Sequence, residues 1–361
     1  MTRTATAILS TENLLHNLQV IKSHVNSSKV IAMVKANAYG HGIRSVGLRL
    51  DGHVDMLGVA SIDEALALRK VGVKSDILLA EGVFDSSELL LAATEKFHVV
   101  FHNAAQIEWL DKSTVPSPIH AWIKIYTGMG RLGLKPEKAH MAYQHLLNNP
   151  KTYKPIRIMS HFACADERDH PLNQKQIDNF RSFTKDIDSE FSFCSSGAIF
   201  NFPHCHYDYV RPGLALYGIS PLANVSAQKL GLKPVMTLQS SLIAVQQFNK
   251  GDTIGYGARY VCDTDMPVGI VAFGYGDGYP FTAQDGTPVL VNNVRCPLVG
   301  RVSMDMMTVD LRPCPQAEIG DPVLLWGERL PLEEIAQNTN HITWNIITGI
   351  QNRVRFLWTK M

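Results

Sequence analysis

Nowhere does the chain approach the roughly 18 consecutive apolar residues of a membrane-spanning helix. Met1–Ser10 also lacks the apolar core of about 7 to 15 residues that marks a secretory leader. A cytoplasmic protein is the expectation. Cysteine is scarce: the six, at positions 164, 194, 205, 262, 296 and 314, show no C-x-x-C spacing. That argues against a disulfide framework and a zinc site, and predicts free, mostly packed thiols. His204-Cys205-His206 with Asp208 has metal-ligand residue types. However, residues two apart along a strand suit a tetrahedral site poorly and no second pair follows, so no metal is expected. An excess of either charge is missing too, with 34 Lys+Arg against 33 Asp+Glu. This removes the electrostatic case for nucleic acid or an anionic membrane surface and leaves small molecules as ligands. Low-complexity tracts and solenoid-length repeats are absent.

What is present is a recurring strand and helix pattern. Ser10-Thr11-Glu12 offers capping oxygens to a helix whose Leu14, Leu15, Leu18, Ile21 and Val25 share one face. Lys29–Val34 is an almost unbroken apolar, β-branched run, the pattern of a strand buried on both faces. Val54–Ala60 reads as a second strand, followed by a helix that Ser61 and Glu64 cap and Gly72 stops. Further strands are predicted at Asp76–Ala80, Phe97–Phe101, Ile119–Ile125, Ile156–His161, Phe191–Cys194 and Tyr209–Tyr217. Eight strands counted from Lys29 favour a closed (β/α)8 TIM barrel, with an open doubly wound sheet as the alternative.

From about Leu232 the pattern changes to β-rich runs, Val235–Gln247, Val268–Phe273, Val289–Val291 and Val299–Leu311, with turns at Lys250-Gly251-Asp252 and Asp285-Gly286. The next helical stretch is Pro331–Gln337. These runs predict a barrel over residues 1–230 and a mostly antiparallel C-terminal β domain over 231–361.

In a parallel barrel the C-terminal strand ends converge on the active site. Lys35 closes the first strand, and burying its ammonium requires a partner, a lowered pKa or covalent use. Gly40 and Gly42 then allow a close backbone approach to a ligand. Lys124 ends the fifth strand ahead of Thr127–Gly133, Ser160-His161 closes the sixth, Ser195-Ser196-Gly197 the seventh, and Arg211-Pro212-Gly213-Leu214 follows in the last.

Seven segments taken together, Val34–Gly42, Thr127–Gly133, Ser160–Asp166, Val210–Gly218, Gly255–Gly257, Gly274–Tyr279 and Val299–Asp305, resemble the motifs of alanine racemases, in their order and over nearly the full chain. The resemblance implies a pyridoxal-phosphate-dependent enzyme that interconverts L- and D-alanine, supplying D-alanine for peptidoglycan or serving alanine catabolism. It assigns Lys35 as the lysine that carries pyridoxal phosphate covalently and as one proton carrier, and Tyr256 as the other. A phenol has a reference pKa near 10 and needs positive charge or hydrogen bonding nearby to act as a base. In the family that tyrosine comes from the partner subunit, so a homodimer with composite active sites is implied.

The same resemblance gives Arg211 the pyridine nitrogen, where an always-charged donor weakens the cofactor as an electron sink and disfavours side reactions. It gives the phosphate to Tyr39, Ser196 and the backbone at Gly213 and Leu214, and stacks His161 near the ring. It gives the substrate carboxylate to Arg131 and the backbone of Met304, and marks Lys124 as a lysine that carries a carbamate in many members. Tyr279 is expected near the entrance. Departures from the pattern are Tyr126 in place of an acid before Thr127, Ser195-Ser196 in place of Asn-Ser, and no phosphate-binding tyrosine in Ile350–Val354. A decarboxylase sharing the barrel plan and a non-enzymatic carrier of pyridoxal phosphate are the rival readings, and serine or another small amino acid remains open as substrate.

Overall fold

The computed structural model describes residues 3–359. Strand β1, Thr6–Leu9, precedes the helix Thr11–His24, where the Ser10 hydroxyl accepts from the Asn13 amide at 3.1 Å. Leu14, Leu18, Ile21 and Val25 bury the predicted face of that helix. The next eight strands are β2 (Lys29–Met33), β3 (Met56–Val59), β4 (Asp76–Leu79), β5 (His98–Phe101), β6 (Ile119–Lys124), β7 (Thr152–Met159), β8 (Phe191–Ser195) and β9 (Tyr209–Arg211). They close into a parallel barrel in sequence order. Closure is carried by the β2–β9 pairing, Lys29 with Tyr209 and Val30 with Val210. This excludes the doubly wound sheet. Every residue of β3 and β5 is buried, as strands covered by helices outside and filled by side chains inside require. Ile31, Met33, Met56, Leu78, Val100, Trp122, Met159 and Tyr209 fill the interior.

Two strand readings change. The sixth barrel strand begins at Thr152, earlier than Ile156, and the last one stops at Arg211 instead of running to Tyr217. Pro212 has no amide hydrogen to continue a ladder, and the chain turns into a 3-10 helix over Leu214–Tyr217. His204 and Cys205 lie in another 3-10 turn, Pro203–Cys205, so the strand geometry expected there is replaced. The His206 ring is used by the Ile199 carbonyl at 2.9 Å. All six cysteines are free thiols.

The chain forms two compact units. The barrel unit comprises Asn17–Leu216 and Ser220–Val225. The other gathers the chain up to His16, Tyr217–Ile219 and everything from Ser226 onward. The N-terminal segment therefore leaves the expected 1–230 division, because β1 is paired on both edges within the second unit. It runs antiparallel to β10 (Met236–Phe248) and parallel to β18 (Arg355–Trp358).

Between those two strands come β11 (Thr253–Ile254), β12 (Tyr260–Val261), β13 (Met266–Val271), β14 (Pro288–Val291), β15 (Val294–Pro297), β16 (Met307–Asp310) and β17 (Pro322–Trp326). Apart from the β1–β18 pair, their pairings are antiparallel. Val299–Leu311 is not one strand: a loop occupies its first half and β16 only the end. A helix at Leu332–Thr339 matches expectation, and one at Thr343–Thr348 adds to it. None of the described helices is long and apolar enough to cross a membrane.

Candidate active site

Lys35 stands two residues past the end of β2, fixed there by the Val34 amide donating to the Gly58 carbonyl at 2.8 Å. The backbone then does something that composition does not announce. Ala36, Asn37, Ala38 and Tyr39 all have φ between 51 and 54°, a left-handed turn built from residues with side chains. Each costs about 1–2 kcal/mol relative to the right-handed form. Specific bonds offset that strain: Ala38 N–H to Val34 at 2.8 Å, Gly42 N–H to Asn37 at 2.9 Å, and Ile43 N–H to the Asn37 side chain at 2.9 Å. The buried His41 ring binds the Tyr39 carbonyl at 2.9 Å, and burial pushes its pKa down to about 4, so it serves the turn as a neutral ring. Strain of this kind persists where surrounding structure over-determines it, and it clusters at functional sites.

Around Lys35 the ends of β6 and β9 gather cations, and the end of β7 adds His161. Lys124 is buried, and its pKa is lowered to about 8 by burial and by the charges of Arg211, Arg131 and Lys35. Among the described residues its ammonium has no ion pair or hydrogen bond. Arg211 is also buried. It donates to the Ser192 hydroxyl at 2.5 Å and the Ser160 carbonyl, and contacts His161 Nδ1 at 3.4 Å. Burial lowers its pKa to about 10, which leaves it charged at neutral pH. Burial, followed by the charges of Arg211, Lys124, Arg131 and Lys35, drives His161 well below its ordinary range, so the ring is neutral. Arg131 is exposed on the Thr127–Gly133 loop and lines a small cavity with Lys124, Thr127, Ser160 and His161.

A second cluster collects Tyr39, Ser196 and Gly213. The buried Ser196 hydroxyl accepts from the amides of Gly213 at 2.8 Å and Ala215 at 3.3 Å, pinning the turn that carries Leu214. Glycine at 213 makes room for the phenol: a Cβ there would sit 2.3 Å from the Tyr39 hydroxyl. Burial raises the Tyr39 phenol to about 12, so it is a neutral hydroxyl, suited to hydrogen-bonding an anion.

Several supporting residues escaped the sequence reading. Gln176 donates to Thr127 Oγ1 at 3.0 Å and to the His161 carbonyl at 2.9 Å, and accepts from the Ala163 amide at 2.9 Å. Asn179 donates to the Thr127 carbonyl at 2.8 Å. Both lie on the helix Pro171–Thr184. Nothing in their helical spacing separates a hydrogen-bonding Gln from a surface one. Glu81, just beyond β4, places a carboxylate oxygen 3.5 Å from Lys35 Nζ. A polar residue beyond an apolar strand and ahead of Gly82 was a legible signal for it.

In the other unit, Tyr256 opens the short 3-10 turn Tyr256–Ala258 between β11 and β12, and it is 70% exposed. Met304 is 53% exposed on the Ser303–Met306 turn. That turn is tied down through its carbonyls, Ser303 accepting from Tyr275 N–H at 3.0 Å and Met304 from Gly276 N–H at 2.8 Å. Beneath it, burial opposes the Asp277 charge, but hydrogen bonds from Arg353, Arg3 and the Gly274 amide hold its carboxyl below the usual range. Arg353 also reaches Asp305 at 2.6 Å. The Met304 amide takes no partner among the described residues. Tyr279 corrects the expectation of an entrance residue. It is 1% exposed and stacks on Trp326 inside this unit, whereas Tyr275 of the same motif is on the surface.

Comparison with known proteins follows this division. Residues 9–221 match the family "Alanine racemase, N-terminal domain" and residues 235–358 the family "Alanine racemase, C-terminal domain". The chain is 43% identical to the alanine racemase of Vibrio vulnificus, over 99% of this chain and 100% of that one. It is 44% identical to the biosynthetic alanine racemase of Escherichia coli, over 97% and 98%. The crystal structure of biosynthetic alanine racemase from Pseudomonas aeruginosa superposes with a TM-score of 0.97 at 38% identity, covering 99% of this chain and 100% of that one. With both domain families matched in order and relatives aligned nearly end to end, the chain belongs to the alanine racemase family and is an amino-acid racemase.

Proposed function

We propose that the enzyme interconverts L- and D-alanine with pyridoxal 5'-phosphate attached at Lys35, using Lys35 and Tyr256 as proton carriers on opposite faces of the substrate Cα. The observation that carries this reading is the strand-end Lys35 on its strained turn beside buried, charged Arg211 and the Tyr39, Ser196 and Gly213 cluster. The donor set fits the cofactor: a primary amine, a cationic donor and a cradle of neutral hydroxyl and amide groups that a Cβ at Gly213 would fill. When bound, pyridoxal phosphate supplies an aldehyde for the amine and an electron-withdrawing ring that acidifies the substrate Cα.

Tyr39, Ser196 and the Gly213–Leu214 backbone would hold the phosphate. Arg211, locked by Ser160 and Ser192, would serve the pyridine nitrogen as a permanent cation, and neutral His161 would pack beside the ring. Arg131 and the Met304 amide receive the substrate carboxylate. Lys35 takes or returns a proton on one face, and Tyr256 does so on the other. As the family resemblance implies, Tyr256 would be supplied by a partner subunit in a homodimer, and its exposure on its own unit leaves it available for that. Lys124, with its pKa near 8, keeps a fraction of neutral amine that can react with carbon dioxide, and the resulting carbamate would steady Arg131. The enzyme works in the cytoplasm, on D-alanine supply for peptidoglycan or on alanine breakdown.

The test is incubation of the purified enzyme with L-alanine in deuterated water. Cα-deuterated D-alanine without carbon dioxide is expected. Carbon dioxide release would convert the reading to a decarboxylase, and neither product would leave a carrier. A parallel panel of small L-amino acids assigns the substrate.

A further inference from the structure

We propose that Glu81 is the counter-charge of Lys35, the carboxylate that supports its ammonium form each time it receives a proton; this rests on Lys35 being a proton carrier. Glu81 Oε1 lies 3.5 Å from Lys35 Nζ, and both side chains are about one-third exposed, at 36% and 34%. The other charged groups of the rim are positive. Lys124 at the end of β6 feels Arg211, Arg131 and Lys35 as repulsive charges and Glu81 as an attractive one. His161 after β7 is surrounded by the same four cations. His102 after β5 turns Nε2 to the Glu81 carbonyl, which accepts at 3.1 Å, and is felt by Lys124. Tyr39 is a neutral phenol. Glu64 is occupied elsewhere, its carboxylate accepting from the amides of Ala60 at 2.9 Å and Asn37 at 3.4 Å.

A proton arriving on Lys35 from a substrate Cα would add one more positive charge beside Lys124, Arg131 and Arg211. Without a carboxylate within about 4–6 Å that ammonium is disfavoured, and the proton transfer is uphill by the same amount. Glu81 reaches Lys35 from the end of β4, the neighbouring strand to β3 on the same rim, and its backbone is held by His102. The carboxylate is thus placed by the barrel and does not depend on the substrate. It faces the nitrogen of the proton carrier and takes no proton from the substrate itself, so its role is to position and compensate charge.

The effect can be read without cofactor or substrate, because acylating reagents attack only the neutral amine. Full-length protein freed of cofactor is treated with acetic anhydride, and Lys35 modification is followed by peptide mass spectrometry. At one pH near neutrality, Glu81→Gln should be modified about three- to tenfold faster than the parent, allowing for the partial exposure of the pair. Glu81→Asp should restore most of the slow rate, and high salt should narrow the gap between parent and Glu81→Gln. In the loaded enzyme, Glu81→Gln should lower kcat about tenfold with KM for alanine little changed. Equal modification rates in parent and Glu81→Gln would overturn the proposal, whatever the loaded enzyme does. Loss of alanine racemisation in the parent itself would instead sink the functional reading, while the modification rates still decide whether Glu81 compensates the charge on Lys35.

Discussion

The two ends of the barrel are built from the same strands and treat charge in opposite ways. At the N-terminal end, Glu190 takes Lys29 at 2.9 Å and Arg157 at 2.7 Å, and the Arg157 guanidinium lies over the Trp122 and Tyr209 rings. His98, His120 and Tyr153 stack at 4.4 and 4.6 Å between centroids, and the Trp122 indole donates to His98 Nδ1 at 3.1 Å. Here charges are matched and rings are in contact. At the C-terminal end, buried Lys124 and Arg211 have no carboxylate partner among the described residues, and Arg211 spends its donors on neutral oxygens. Buried cations without counter-ions are costly, and such clusters of perturbed groups collect at functional sites. The difference separates an end whose charges are paired from the end at which parallel barrels build their active sites.

Breaking the C-terminal end should have the largest effect. Lys35→Ala and Tyr256→Phe should each lower alanine racemisation by about a thousandfold or more while the protein stays folded. Mixing the two variants should restore part of the activity through hybrid dimers that carry one intact site; verified hybrids with no activity would remove the shared site. Arg211→Glu should come next. It replaces a permanent cation by a carboxylate, so racemisation should fall by about a hundredfold or more and transamination, read as pyruvate from alanine, should rise from nothing.

The matched end should respond in stability. Trp122 is fully buried, so Trp122→Ala should cost about 3–5 kcal/mol in chemical denaturation. Taken over a single pH unit, the smallest effect is the pH response of His98, whose pKa is held down to about 2 by burial, with His120 and Arg157 adding to it. Unfolded histidine titrates near 6.5, so the folded state binds fewer protons below that pH. The contribution of His98 is therefore complete above about pH 6.5 and lost progressively toward pH 2, at up to about 1.4 kcal/mol per pH unit. Denaturation curves at stepped pH should show this slope, and His98→Gln should flatten it. An unchanged slope would place the acid sensitivity elsewhere. His41, lowered to about 4 at the opposite end, adds to the slope over a narrower window, between about pH 6.5 and 4.

Much of the architecture is legible in the amino-acid sequence. Apolar runs such as Val30–Met33 and Val99–Phe101 exist because parallel strands are buried on both faces, and eight of them in succession mean a barrel. Placement of Lys35, Lys124, His161, Ser196 and Arg211 at strand ends followed from the same pattern. The end of β9 was misread because Tyr209–Tyr217 stays apolar through Pro212 into a 3-10 helix, and hydrophobicity alone does not show the missing donor's consequence. Tyr279 was misplaced for a related reason: two tyrosines four residues apart in one glycine-rich motif look equivalent, yet one is buried and the other is not.

Local order along the chain thus settled the strand count, the change to a second unit near residue 230 and the residue types offered to chemistry, since periodicity and turn composition act over a few neighbouring residues. Contacts between distant segments decided the rest. The pairing of β1 with β10 and β18, the left-handed turn after Lys35, the desolvation that lowers Lys124 and His161, and the meeting of Glu81 with Lys35 all arise only when the strands close. Burial and electrostatic coupling depend on three-dimensional distance, which a linear pattern does not contain.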